Sequence, residues 1–190
     1  DVGILINGVP IYGYKDPESI RFGVLESIRV DNKGRNYTVP PFVLVDGLPN
    51  RANAFLIGNV IDRIEVDTTD IFPQTPTIEV TSGRGGKATA VVTGGEVTSI
   101  NIDDAGKFYS APPTVRIVDL AGKGRFAEYT TEVNTAGQII AINKVAGGTL
   151  YTQANIQVDI VPVGSDAQAT PLLKEWKKNR FEKFKGVLDT

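Results

Sequence analysis

Apolar residues recur along most of this chain in short runs that alternate with polar or small ones. Phe22, Val24, Ile28 and Val30 alternate with Gly23, Leu25, Ser27 and Arg29, the period of a strand with one buried face. Glu26 interrupts the series. Shorter alternating runs follow at Val43 and Val45, Ile78 and Val80, Val115 and Ile117, and Ile156, Val158 and Ile160. Ala88, Ala90 and Val92 form a stripe of small residues after "SGRGG". Asn7-Gly8, set between Ile4, Ile6 and Val9, Ile11, is a strong short-range hairpin signal.

These runs are spaced as repeats. "LESIRVDNKGRNYTVPPFVLVDG" from Leu25 returns as "VTSINIDDAGKFYSAPPTVRIVD" from Val97. Gly34, Tyr37, Pro40 and Pro41 then match Gly106, Tyr109, Pro112 and Pro113 at one offset. A worn copy lies between them, with Ile64 and Val66 in place of Ile28 and Val30. A fourth copy carries Ile142, Gly148 and Tyr151 but no prolines. Each copy reads as a strand, a polar turn at "DNKG" or "DDAG", and a rigid extended entry fixed by the prolines. A second strand, a glycine-rich reversal and a third strand complete it.

The expected architecture is therefore all-β. Three-stranded units of about 36–42 residues, counted from the matched positions, would form a sandwich, prism or stack that shares one core. The boundaries read as a hairpin segment at 1–20, repeats at 21–58, 59–93, 94–134 and 135–167, and a C-terminal helix at 168–190. For that helix, Thr170 is the expected cap and Pro171 the first residue. Leu173, Trp176, Phe181, Phe184 and Leu188 make an apolar stripe opposite Lys174, Lys178 and Lys185. The stripe reads first as a cover for the end of the β stack in the same chain and next as a contact with a partner subunit, for which Leu173, Trp176, Phe181 and Phe184 are the candidate docking residues.

Composition narrows the chemistry. Cys and His are absent, so the chain offers no disulfide, thiolate nucleophile or imidazole base, and lacks the usual zinc ligands. The net charge is −2, which gives the whole chain no electrostatic case for nucleic acid or a bilayer. No run of eighteen apolar residues exists to enter a membrane. Positive charge is concentrated in "PLLKEWKKNRFEKFKG". The sequence opens on "DVGILINGVPIYGY" and contains no Met, which leads to the expectation of a fragment or processed product.

Candidate sites weigh toward structure. "SGRGGKAT" lacks the spacing of a phosphate loop and leads into a strand, so it reads as a turn. Asp103 and Asp104, and Asp67 and Asp70, occupy equivalent turns where Asp serves the backbone. Tyr37, Tyr109 and Tyr151 recur at one position. They read as rings packed over Pro or Gly, with stacking on a sugar as the alternative. No catalytic, cofactor-binding or metal-binding residue is expected.

The pattern "SIxVxxxGxxYxxPPxVxI", carried by Ser27–Val45 and Ser99–Ile117, resembles a repeat of structural proteins from tailed bacteriophages, myovirus-like phages of cyanobacteria among them. "GILINGVPIYGY" is similar to the start of a so-called YHYH module in the same class of proteins, without that module's histidines. The resemblance implies a non-enzymatic component of a virion tail, baseplate or fibre, assembled with other virion proteins. A homotrimer is the first expectation for its symmetry, and a monomer docked in a larger assembly the next. The alternative is a carbohydrate-binding module that attaches to a host-surface glycan; a polysaccharide-cleaving enzyme comes third.

Overall fold

The computed structural model describes residues 3–4, 10–11 and 23–175. Strands β1 (Gly3–Ile4) and β2 (Pro10–Ile11) pair with each other. The remaining strands are β3 (Gly23–Arg35), β4 (Phe42–Val45), β5 (Ala52–Ile57), β6 (Val60–Val66), β7 (Ile71–Phe72) and β8 (Ile78–Thr81) in the first half. The second half contains β9 (Arg84–Thr93), β10 (Glu96–Lys107), β11 (Thr114–Asp119), β12 (Arg125–Val133), β13 (Ile139–Thr149), β14 (Ile156–Val161) and β15 (Ser165–Glu175). A single 3-10 turn, Gln153–Asn155, is the one helical element among the described residues.

The expectation of repeated three-stranded units with a C-terminal helix is overturned. The described chain is nearly all strand, with no helix of seven residues or more, and its sheets are a half-barrel and several two-stranded ladders. The larger sheet runs in the order β15-β3-β6-β5-β4-β8, with β7 also on β3. The ladders are β9–β10, β11–β14 and β12–β13. The physical reason lies in the connections. Gly58-Asn59 joins β5 to β6 and Gly94-Gly95 joins β9 to β10, in tight hairpins. The third strand of one sequence repeat is thereby paired to the first strand of the next. The second strands also find partners outside their own repeat, β4 with β8 and β11 with β14. No repeat keeps its three strands together.

The expected helix start is also corrected. Thr170 and Pro171 lie inside β15, which pairs with β3 from Ser165↔Arg35 to Glu175↔Gly23. Residues 165–175 in fact alternate, since Ala167, Ala169 and Leu173 pack against the first core while Leu172 is exposed. Thr170 donates its hydroxyl to Asp31 across the ladder instead of capping a helix. Pro171 is tolerated because β15 is an edge strand. Trp176, Phe181, Phe184 and Leu188, and Asn7-Gly8, lie outside the described residues.

A further correction concerns the long strands. The polar stretches expected as turns, Asp31–Gly34 and Asp103–Gly106, are continuous parts of β3 and β10. The strict alternation also fails, and it fails at the same place in each repeat. Ladder shifts fall at Glu26, Asp62, Thr98 and Ile140. A bulge adds one residue and turns the side chains after it to the opposite face. The residue before the bulge and the one two after it therefore point the same way. Leu25 with Ile28, Ile61 with Ile64, and Val97 with Ile100 are all buried. Ile139 is buried and Ile142 packs on the second core.

Two cores result. The first gathers Leu25, Ile28, Tyr37, Val43, Val45, Ile61, Ile64 and Phe72. The second gathers Ala90, Val97, Ile100, Val115, Tyr129 and Tyr151. Outside both clusters, Phe42 of β4 packs on Phe108, just after β10, with ring centroids 5.7 Å apart. Pro40 and Pro112 are exposed, whereas Pro41 and Pro113, directly before β4 and β11, are buried.

Candidate functional site

The repeated glycines and tyrosines form three equivalent clasps. In each, a glycine near the end of a long strand sits at positive φ: Gly34 at 64°, Gly106 at 62° and Gly148 at 67°. Three residues on, Tyr37, Tyr109 and Tyr151 are only 3%, 3% and 4% exposed. Each ring lies against that glycine and against a second one on the facing segment, Gly164, Gly83 or Gly124 respectively. A Cβ on this second glycine would stand 2.2, 2.0 or 2.2 Å from the ring. Neither glycine therefore has room for a side chain, and the aromatic ring fills the space left by both.

Hydrogen bonds lock the arrangement. The amide N–H groups of Tyr37, Tyr109 and Tyr151 donate to the carbonyls of Asn59, Gly137 and Gly95, each at 3.0 Å. These carbonyls sit in the hairpin turns of neighbouring strands. The Gly34 and Gly106 amides donate to the side chains of Asn32 (3.0 Å) and Asp104 (2.9 Å). The Gly86 amide donates to the Tyr109 hydroxyl at 3.1 Å. Burial pushes the Tyr37 and Tyr109 phenols above the ordinary tyrosine range, while backbone N–H groups of Ala167 and Gly86 pull the other way.

The acidic pairs are absorbed by the framework. Asp103 accepts the Thr89 hydroxyl at 2.6 Å, and Asp70 pairs with Arg51 at 3.0 Å. "SGRGGKAT" places Gly83 on Tyr109 and continues as β9. Among the described residues no group of three His, Cys, Asp or Glu side chains could hold a metal. A shallow polar depression of about 490 Å³ lies beside the first clasp, lined by Asn32, Gly34, Arg35, Asp166 and Gln168. The Arg35–Asp166 ion pair, at 2.8 Å, occupies part of its wall. Leu173, a candidate docking residue, packs on the first core.

Sequence reasoning missed the residue before each tyrosine. Asn36, Phe108 and Leu150 are all non-glycine residues at positive φ, 59°, 60° and 65°. The residues across the ladder from the clasp glycines, Asp166, Gly85 and Phe126, share the left-handed conformation at 68°, 79° and 68°. Asn, Phe and Leu have no chemistry in common, so only the offset from the glycine could have revealed them.

No family model, curated protein or solved structure matches this chain.

Proposed function

We propose that the protein is a non-enzymatic structural component of a tailed-phage virion, in the tail, baseplate or fibre, where an all-β framework spaces and joins other subunits. One observation carries the non-enzymatic part of this reading. The most faithfully repeated residues, Gly34/Tyr37, Gly106/Tyr109 and Gly148/Tyr151, are all engaged in strand-closing contacts, with the three tyrosine rings buried against the glycines. The first and last long strands of the described residues, β3 and β15, are also bonded to each other along their length, which ties the two ends of the stretch 23–175 together. The virion assignment rests on the repeat resemblance. With the tyrosines buried, the stacking platform that would favour glycan binding is missing, and no other observation favours that alternative.

The test compares residues 1–190 with residues 1–175 by size-exclusion light scattering, with immunogold labelling of tailed-phage particles by an antibody to the chain. Cutting after Glu175 leaves β15 intact. The expected result is a defined oligomer for the full chain, a folded monomer for the shorter one, and label on tails or baseplates. A monomer at both lengths that binds glycan stoichiometrically or releases sugar from polysaccharide would overturn the reading.

A further inference from the structure

The three clasps share a backbone but present different outer surfaces. In the first, the two left-handed positions hold Asn36 and Asp166, residue types that tolerate this conformation. In the second they hold Phe108 and Gly85, and Phe108 is covered. Phe42 packs on it at 5.7 Å, and the Arg84 guanidinium lies 5.5 Å from its ring centroid. Glu79 takes the charge of Arg84. Phe42 and Glu79 belong to one face of the β4–β8 ladder, because Glu79 stands opposite Leu44, two residues from Phe42.

The third clasp repeats the underlying half of this junction without its cover. Leu150 stands where Phe108 stands, and Arg125 where Arg84 stands, since Gly148 contacts Arg125 as Gly106 contacts Arg84. Phe126 replaces Gly85. Phe126 is 78% exposed and Leu150 58% exposed. Arg125 donates to the Lys123 carbonyl, and among the described residues it pairs with no carboxylate. Two apolar side chains thus hold a strained backbone conformation that Asn, Asp or Gly would adopt more cheaply, and they hold it in water. Strain retained at exposed apolar residues of one clasp points to a binding surface.

We propose that Arg125, Phe126 and Leu150 form a docking site for a β-strand segment of another protein that presents an aromatic ring and a carboxylate on one face, the chemistry with which Phe42 and Glu79 cover the second clasp. The ring covers Leu150 and Phe126, and the carboxylate pairs with Arg125. The inference stands apart from the virion assignment, because it requires a protein neighbour of this chemistry and no particular particle.

The probe is a cyclic hairpin peptide joining residues 41–46 to residues 77–82, titrated into the full chain and followed by amide chemical shifts. The expected result is saturable shifts centred on Arg125, Phe126 and Leu150. Binding should weaken about tenfold or more in a Phe126→Asn, Leu150→Asn double variant, as truncation of central apolar anchors does. It should weaken likewise for hairpins in which Phe42 is replaced by Ala or Glu79 by Gln. Thermal unfolding of the double variant checks folding independently, and its midpoint should be unchanged or higher because Asn suits positive φ. No shifts at millimolar hairpin, shifts centred elsewhere, or equal binding by the double variant would overturn the proposal. Self-association of the full chain that disappears in the double variant would also overturn it, by assigning the face to a second copy.

Discussion

Gly106→Ala is the sharpest probe of the clasp, because Gly94 provides a matched control. Both residues sit at nearly the same backbone angle, φ 62° and 61°. A Cβ at Gly94 meets nothing within 4 Å. At Gly106 it would lie 2.6 Å from the Gly86 nitrogen, 2.6 Å from Tyr109 Cε2 and 2.7 Å from the Arg84 carbonyl oxygen. Two of these neighbours are backbone and cannot rotate away. Reaching an ordinary contact of 3.4 Å requires β9 and β10 to separate by roughly 0.8 Å. Alanine in the left-handed region costs about 1 kcal/mol at either site, offset in part by a stiffer unfolded chain. At Gly106, overpacking against the paired strand and the tyrosine ring adds about 2–3 kcal/mol. Urea unfolding of the two variants, followed by far-ultraviolet circular dichroism, should therefore place Gly106→Ala about 2–3 kcal/mol below Gly94→Ala. Equal losses, within about 0.5 kcal/mol, would mean that the clasp contributes nothing beyond its turn geometry.

Gln153 covers the open edge of β9, its side-chain nitrogen donating to the Ala90 carbonyl (2.8 Å) and its oxygen accepting from the Val92 amide (2.7 Å). Gln153→Ala should cost about 1–2 kcal/mol and speed hydrogen exchange at Val92, and unchanged exchange there would refute the role. Asp119 accepts backbone N–H groups from Gly124, Lys123 and Ala121, which hold its carboxyl below the ordinary aspartate range. A lowered folded-state value contributes stability that is present above the unfolded value and lost as pH falls through the folded one. The acid limb of a urea-midpoint profile, between about pH 5 and pH 2, should therefore flatten in Asp119→Asn. Tyr37 and Tyr109 carry the opposite sign: with raised phenols, their contribution is present below the ordinary tyrosine range and lost as pH rises through the folded values. Alkaline titration by phenolate absorbance should show both ionising later than free tyrosine, and normal titration of the folded chain would refute their burial. Deleting residues 165–190 removes the whole β15 partner of β3. It should unfold the first core, whereas deletion of 176–190 should leave hydrogen-exchange protection of β3 intact.

What the amino-acid order determines by itself is local. Val43 with Val45 and Ile156 with Val158 and Ile160 alternate because a strand places every second side chain on one face. The recurrence of Gly34, Gly106 and Gly148 three residues before a tyrosine is equally legible, since only glycine leaves room for a ring at that approach. A second signal was present but misread. Apolar residues three apart, as at Leu25 and Ile28 or Val97 and Ile100, announced a bulge, while a rule of strict alternation assigned Leu25 to the wrong face.

Tertiary structure alone decided which strand pairs with which. A repeat contains no information on whether its hydrogen-bonding edge is met by its own third strand or by another repeat's, because the backbone groups are identical in both cases. The short turns at Gly58-Asn59 and Gly94-Gly95 settle it between repeats, and β15 settles it at the ends by pairing with β3. That last pairing is also why Thr170, Pro171 and Leu173 are strand residues: the edge of β3 offers residues 165–175 a complete ladder. The contrast among the clasps belongs to the same level. Phe108 is covered and Leu150 bare because of where β4 comes to lie, an outcome of chain packing that neither residue encodes.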